Sequence, residues 1–258
     1  MAGITDVNAA LERFAALDEK ELSGPWHFLG KPMDVRYALY RTLEDAQEAL
    51  VRLVALSDPE SRRILALAQR AFGDLRGLLI GLPVDLLDQS PREGEWSIRE
   101  TLRHIIVIEG RYAVQTRYAT ERVDADPMRV ADDKMPTSAQ TDVAGDINAI
   151  LARVGEARAE TDRRLGRLSP AAMTRPTPWM QYPVDVRFRL HRFAAHVIEH
   201  TVQCEKTLAA LRGPMTEGRR IVRRLTGLLG EIEGHGGDGE AREIEQRLLE
   251  RAASTAAA

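Results

Sequence analysis

The spacing of apolar residues is the feature that most constrains the fold, because these residues recur every three or four positions along most of the chain. This spacing gathers them on one face of an α-helix, whereas a half-buried strand requires alternation of apolar and polar residues. Runs of alternating β-branched residues are missing from the sequence. The pattern therefore predicts an all-α protein in which four long helices dominate: 59–80, 97–120, 141–168 and 185–212.

Capping residues indicate where two of these helices begin. In SIRE, Ser97 can accept a hydrogen bond from the amide of Glu100, whose side chain can reach back to the amide of Ser97, and this arrangement is a capping box. In SDPE, Ser57 or Asp58 can cap the first long helix, with Pro59 in its first turn.

The chain divides into three predicted segments. Residues 1–58 form a helical extension, in which 5–19 and 34–56 are the expected helices. Residues 59–214 form a four-helix bundle, because a bundle buries four apolar stripes against one another. Residues 215–258 are expected to hold one further helix and a flexible tail.

Prolines, glycines and polar residues mark the connections between helices. The glycine-rich run GHGGDG (234–239) predicts a flexible hinge, and the charged, alanine-rich stretch after it predicts a frayed helix. Four other segments are predicted to be irregular: 23–32, 84–96, 122–140 and 169–185.

Composition argues against several classes of protein. The formal net charge is −3, and acidic residues alternate with the arginines along the helices, so no nucleic-acid partner is expected. The single cysteine, Cys204, allows neither an intrachain disulfide nor a zinc ribbon. The start MAGITDVNAALERF does not resemble a signal peptide, and the apolar runs are too short for a membrane span. A cytoplasmic location is therefore expected.

The segment HVIEH places His196 and His200 four residues apart in an apolar helical pattern. Residues at this spacing lie one turn apart on the same side of a helix, so both imidazoles can bind one ion at about 2.0–2.1 Å. They share their face with Phe193 and Val197, which indicates an inward orientation. Such a pair also arises by accident, and a polar network can satisfy two buried imidazoles equally well.

His104 is the candidate third ligand. It lies near the second turn of helix 97–120, among apolar residues. If that helix is a neighbour of helix 185–212, the three histidines form a set with one position open for water or substrate. Spacing does not establish this adjacency, so the metal site and the polar network both remain open. The other histidines are expected to lie on the surface or in loops, away from any metal: His27, His191 and His235.

HVIEH also matches the inverted zinc-peptidase signature, in which Glu199 would be the general base. That site needs an acidic ligand from a downstream helix, for which Glu231 and Glu233 are the candidates. Glu199 is otherwise expected to be an outward-facing surface charge. Cys204 begins about 12 Å along the helix axis from His196, so it is expected to be a small core residue.

Two segments resemble the DinB/YfiT-like family. GLPVDLLDQSPREGEWSIRETLRHIIVIEG (81–110) is similar to the family segment that leads into the second helix, and PVDVRFRLHRFAAHVIEH (183–200) resembles its last core helix. The likeness covers about residues 59–212. It implies an up-down-down-up four-helix bundle with a divalent metal held by one histidine of the second helix and two of the fourth. These positions fall on His104, His196 and His200.

The resemblance also implies classes of function. Characterised relatives include bacillithiol S-transferases and the mycothiol-dependent maleylpyruvate isomerase, and others are known only as damage-inducible proteins. It therefore implies a metal-dependent transferase or isomerase acting on a small molecule, or a non-catalytic metal- or ligand-binding bundle of a stress response. The helices before residue 59 and the chain after 214 depart from the pattern and leave the pocket shape and the oligomeric state open, a homodimer included.

Three neutral imidazoles would leave the charge of a divalent ion unquenched, so that bound water or thiol ionises near neutral pH. Zinc, nickel, iron and manganese all accept imidazole, and zinc is the default expectation. Only four of the 36 basic residues are lysine, a bias typical of GC-rich bacterial genomes that favours mycothiol as the thiol.

Other side chains are candidates for binding substrate, although no residue is assigned as catalytic acid or base. Trp96 and Trp179 precede the two histidine-bearing helices and are expected either to wall the pocket mouth or to staple the helix starts. The candidates for binding an anionic thiol or substrate are Arg103, Arg111, Arg189 and Arg192.

Overall fold

The computed structural model describes residues 6–28, 30–54, 58–179 and 182–256. These residues are predominantly helical, which confirms the all-α prediction. The helices are α1 (Val7–Ala16), α2 (Glu19–Leu22), α3 (Val35–Val54), α4 (Glu60–Leu79), α5 (Val84–Leu87), α6 (Ile98–Glu121), α7 (Ile147–Leu165), α8 (Pro170–Met173), α9 (Val186–Arg212), α10 (Glu217–Gly234) and α11 (Asp238–Ala256). The strands are β1 (Pro25–Phe28), β2 (Lys31–Asp34), β3 (Pro176–Trp179) and β4 (Tyr182–Asp185).

Helix α9 packs between α4 and α6. Arg187, at the start of α9, donates a hydrogen bond to the carboxylate of Glu60, the first residue of α4. The two helices therefore begin side by side and run parallel. Arg189, also at the start of α9, donates to the hydroxyl of Thr116 near the end of α6. Helices α6 and α9 are therefore antiparallel.

Helix α7 closes the bundle between α6 and α4. The amide of Leu168, just beyond α7, donates to the hydroxyl of Ser61 at the start of α4, so these helices are antiparallel. Arg99, near the start of α6, donates to the carbonyl of Gly145 just ahead of α7, so α6 and α7 are parallel. The directions of α4, α6, α7 and α9 give the up-down-down-up order that the resemblance implied.

Helix ends follow the sequence signals in part. The capping box at the start of α6 is confirmed, with the Ser97 amide donating to Glu100 at 2.8 Å and the Glu100 amide donating to the Ser97 hydroxyl at 3.2 Å. Asp58 does not cap α4, because it accepts a hydrogen bond from His235 instead, and Ser57 lies outside the described residues. Helix α7 begins at Ile147 rather than at residue 141, since Asp146 caps it.

Two segments predicted to be irregular contain short antiparallel hairpins in the described part of the chain. Strand β1 pairs with β2, and β3 pairs with β4, each strand being four residues long. Strands this short show no alternation that a sequence pattern could detect, and their prolines argued against pairing. Each hairpin leads directly into a long helix, β1–β2 into α3 and β3–β4 into α9.

The chain after the GHGGDG run is a packed helix rather than the frayed tail that the sequence predicts. Helix α11 has 19 residues and buries one face, formed by Ala241, Ile244, Leu248 and Ala252. That face joins apolar residues of α1, α3 and α10 in a hydrophobic core distinct from those of the bundle. Polar contacts reinforce it, because Arg251 of α11 pairs with the buried Asp45 of α3. The N-terminal and C-terminal segments therefore form one helical layer.

Helix α10 joins this layer to the bundle by close packing against α4. A Cβ atom added at Gly73 would lie 2.1 Å from the carbonyl oxygen of Thr226, and one added at Gly230 would lie 2.4 Å from that of Gln69. Side chains at these positions would force the two helices apart, so the glycines permit the observed contact.

No helix in the described residues combines the length and the apolarity that a membrane crossing requires.

Candidate metal centre

His104, His196 and His200 meet at one point between α6 and α9. The Nε2 atom of His196 lies 3.2 Å from Nε2 of His104 and 3.0 Å from Nε2 of His200. One ligand atom from each of the three residues lies within 4.8 Å of the others. Nitrogens bound to a common tetrahedral ion at 2.0–2.1 Å would be about 3.4 Å apart. The cluster therefore has the dimensions of a divalent metal site.

Burial disfavours the charged forms of His196 and His104. Burial, reinforced by the neighbouring His200, His104 and Arg192, lowers the pKa of His196 to about 3. Burial and His200 also lower the pKa of His104 below its usual value. A neutral imidazole has a lone pair available for a metal, so both ligands are ready to coordinate at neutral pH.

Gln203 orients His200. Its side-chain oxygen accepts a hydrogen bond of 2.8 Å from Nδ1 of His200. Because that hydrogen bond places the proton on Nδ1, the lone pair of His200 lies on Nε2, which faces the other two rings. Gln203 follows His200 by three residues on α9, and no motif in the sequence points to it.

The other candidate ligands lie elsewhere. Glu199 is 66 % exposed and approaches Arg192 at 4.0 Å, as expected for a surface charge at the rim of the site. Glu231 pairs with Arg70 at 2.8 Å, and burial raises the pKa of Glu233, which lies near Glu245. Among the described residues, no carboxylate joins the three imidazoles. The arrangement therefore lacks the acidic ligand that an inverted zinc peptidase requires.

A cavity of about 650 Å³ opens from the histidines. Trp179, at the end of β3, lies on its wall, and Trp96 packs its ring 5.0 Å from that of His104 and 6.4 Å from that of His200. Trp179 therefore walls the cavity, one of the two roles predicted for it, whereas Trp96 packs against the histidine rings and is not among the described lining residues. The β3–β4 hairpin that the sequence analysis missed is what brings Trp179 to this position.

Three of the four candidate arginines line this cavity, namely Arg111, Arg189 and Arg192. Arg103 is not among the described lining residues. Two further side chains on the wall, Tyr112 of α6 and Arg129 of the 122–140 connection, were missed. Neither lies in a motif, and only the packing of the connection over the bundle places Arg129 there.

A buried polar network lies within the bundle beside the histidines. Arg158 is fully buried and donates to Glu109 at 2.5 Å and to Asp162 at 2.6 Å. Its guanidinium carbon lies 5.5 Å from the ring centre of Phe193. Phe193 in turn contacts Tyr112, which lies against His196, with each pair of ring centres 5.6 Å apart. The ion pair thus supports the aromatic side chains that pack against His196.

The family model of the DinB superfamily matches residues 67–204, which is more than half of the chain. The chain belongs to the DinB superfamily. The matched range begins within α4 and ends within α9, and it contains His104, His196 and His200. No curated protein matches this DinB-superfamily chain at a significant level.

Cys204 is expected to be unreactive in this DinB-superfamily protein. It is buried among apolar residues of the bundle, and burial raises its pKa to about 12. At pH 8 only about one thiol in 10⁴ would be ionised, and the thiolate is the reactive form. Native protein should therefore remain unmodified by iodoacetamide at pH 8, as measured by intact mass, whereas urea-unfolded protein should take up one equivalent. A Ser90→Cys variant, with an exposed thiol at residue 90, provides the positive control, and rapid labelling of native Cys204 would contradict its burial.

Proposed function

We propose that this protein is a divalent-metal-dependent enzyme, a thiol-dependent transferase or isomerase, whose metal is bound by His104, His196 and His200. The observation that carries the proposal is the convergence of three Nε2 atoms at one end of a substrate-sized cavity. Zinc is the default metal, because its sites combine imidazole nitrogens with an open fourth position.

Three imidazole ligands are suited to the activation of a thiol or of water by a bound metal. When bound by three neutral imidazoles, a divalent ion retains its charge and lowers the pKa of a thiol or water in the remaining position. Gln203 holds His200 in the tautomer that presents Nε2. Trp96 packs against the rings of His104 and His200.

The nucleophile is expected to come from outside the protein. Among the described residues that line the cavity, none is a cysteine, serine, threonine or lysine. Cys204 is buried in the bundle, and its raised pKa keeps it protonated. A small thiol would supply the thiolate that none of the described lining residues offers, and the composition of the chain favours mycothiol. Family membership supports this choice, because thiol-dependent enzymes are among the characterised relatives.

The test is metal-dependent turnover. Protein stripped with EDTA and reloaded with zinc, nickel, iron(II) or manganese would be incubated with an electrophile and mycothiol, bacillithiol, glutathione or cysteine. We expect thiol consumption with at least one metal at a rate about 100-fold or more above that of the stripped protein, since the ion generates the nucleophile.

Two other outcomes would overturn the proposal in different ways. Tight metal binding without consumption of any thiol would indicate the non-catalytic metal- or ligand-binding bundle. Ester or amide hydrolysis that needs no thiol and is abolished by Glu199→Gln would indicate a hydrolase.

A further inference from the structure

The wall of the cavity beyond the histidines is strongly cationic. Of the described residues, four arginines line it: Arg111, Arg129, Arg189 and Arg192. Two carboxylates line it, both from exposed residues: Asp132 and Glu199. Positive charge therefore exceeds negative charge in the space that a substrate would occupy, and a concave surface of one sign attracts ligands of the opposite sign.

Arg189 is a buried cation that has no carboxylate partner among the described residues. It is 6 % exposed, and its guanidinium donates to the carbonyl of Pro178 at 2.8 Å and to the hydroxyl of Thr116 at 3.4 Å. Neither acceptor carries charge, and no ion pair among the described residues includes Arg189. Burial lowers its pKa to about 10, so it is still a cation at neutral pH. Buried arginines are rarely left without a counter-charge, which points to an anion that is supplied from outside.

Arg192 lies beside it and is also incompletely satisfied. Its Nε atom is buried and has no hydrogen-bond partner. Its carboxylate contact is the exposed Glu199 at 4.0 Å, and the Tyr112 hydroxyl lies within hydrogen-bonding reach. An Nε–H group that is buried and unpaired loses the hydrogen bond that it would otherwise donate to water. An oxygen atom of a ligand can accept that hydrogen bond instead.

One indole holds both guanidinium groups in place. The guanidinium carbons of Arg189 and Arg192 lie 5.5 Å and 5.0 Å from the ring centre of Trp179. Stacking on an aromatic face restricts both side chains. The N–H groups of Arg189 that do not bond Pro178 or Thr116, together with the guanidinium of Arg192, are therefore held in place to donate charge-assisted hydrogen bonds to a carboxylate.

We propose that Arg189 and Arg192 form a subsite for the carboxylate of a small organic acid whose other end reaches the histidine cluster. This proposal depends on the proposed function in one respect only, namely that a reaction takes place at the histidine cluster. Arg192 precedes His196 by four residues and Arg189 precedes it by seven, which correspond to about 6 Å and 10 Å along α9. The ligand is therefore a short molecule, with several bonds between its carboxylate and its reacting atom. The carboxylate can belong to the electrophile or to the thiol.

Binding of simple acids tests the subsite. Glutarate and adipate would be titrated calorimetrically into zinc-loaded protein, with glutaramide and adipamide as neutral counterparts. We expect the acids to bind and the diamides not to bind. Arg192→Gln should weaken acid binding about 10-fold or more, because a hydrogen bond to a charged group is lost. Arg192→Lys should recover part of the affinity. Arg103→Gln, a change on α6 outside the cavity wall, should leave it unchanged.

The subsite and the metal centre can fail separately. His196→Ala protein should still bind glutarate if the arginines form the subsite, whatever its metal content. Equal affinity of wild type and Arg192→Gln, or equal affinity for acid and diamide, would overturn the proposal. So would binding that is lost in His196→Ala but retained in Arg192→Gln, because the acid would then be bound by the metal alone. In turnover assays, the substrate whose KM rises in Arg192→Gln is the one that carries the carboxylate.

Discussion

His196→Ala protein is expected to purify with less than about a tenth of an equivalent of divalent metal, whereas the wild type retains about one equivalent. The reason is the central position of this imidazole, whose Nε2 contacts both other rings at 3.0 and 3.2 Å. Its removal leaves His104 and His200 as a pair, and among the described residues no carboxylate lies close enough to replace it. Two protein ligands are fewer than known catalytic zinc sites use.

Metal content would be measured by mass spectrometry of the elements, on protein purified without a histidine tag and dialysed against metal-free buffer. His191→Ala is the matched control, because His191 lies on the same helix with its side chain exposed and should have no effect. Added zinc should raise the midpoint of thermal unfolding of the wild type and of His191→Ala but not that of His196→Ala, since a ligand stabilises only the state that binds it. Equal metal in all three proteins would show that the histidine cluster is a polar network.

Glu109→Ala is expected to reduce the free energy of unfolding by about 3–5 kcal/mol, because it leaves the guanidinium of Arg158 buried without its principal counter-charge. Glu109 and Arg158 are 3 % and 0 % exposed, so water cannot replace the lost carboxylate. Thr161 also loses the nearer of its two hydrogen-bond acceptors, since its hydroxyl lies 2.6 Å from Glu109 and 3.1 Å from the carbonyl of Ala157. Urea denaturation followed by circular dichroism would measure the change.

Two comparisons identify the cause of this destabilisation. Glu121→Ala removes the carboxylate of an exposed pair with Arg117 on the same helix and should leave the free energy of unfolding close to that of the wild type. The double variant Glu109→Leu/Arg158→Met should recover much of the loss, because apolar side chains of similar size can replace a buried ion pair. A Glu109→Ala protein as stable as the wild type would contradict the buried arrangement.

The buried network also affects the histidine cluster. Arg158 packs on Phe193, and Phe193 packs on Tyr112, which contacts His196. Loss of Glu109 should therefore loosen the ring of His196 as well as destabilise the bundle. This links the stability of the bundle to the metal affinity that the proposed function requires, since the orientation of a ligand contributes to its affinity.

Features that depend on neighbours a few residues away could be predicted from the sequence. The capping box of Ser97 and Glu100 consists of local hydrogen bonds, and the structure contains both of them. Helix periodicity located α4, α6 and α9 to within one or two residues. Local signals do not reveal whether a charged helical face is exposed or buried. Glu109 and Arg158 show the same helical charge pattern as surface residues, and only packing makes them a core pair.

Tertiary packing also determines the structure of the C-terminal segment and the composition of the cavity wall. The weakly amphipathic face of α11 becomes a stable helix face because α3 and α10 cover its small apolar stripe. Arg129 and Trp179 reach the cavity from connections whose paths the sequence does not specify. In each case the decisive free energy comes from contacts between residues distant in the chain.

The candidate metal centre also combines a feature that the sequence determines with one that only the tertiary structure determines. The sequence alone determined that His196 and His200 share one side of a helix, because the helical repeat brings residues four apart into line. Only the tertiary structure decided that His104, 92 residues from His196 in the chain, completes the group. Its position depends on the antiparallel packing of α6 against α9 and on the register of that packing. Register is set by the fit of many side chains along both helices, and no short stretch of sequence contains that information.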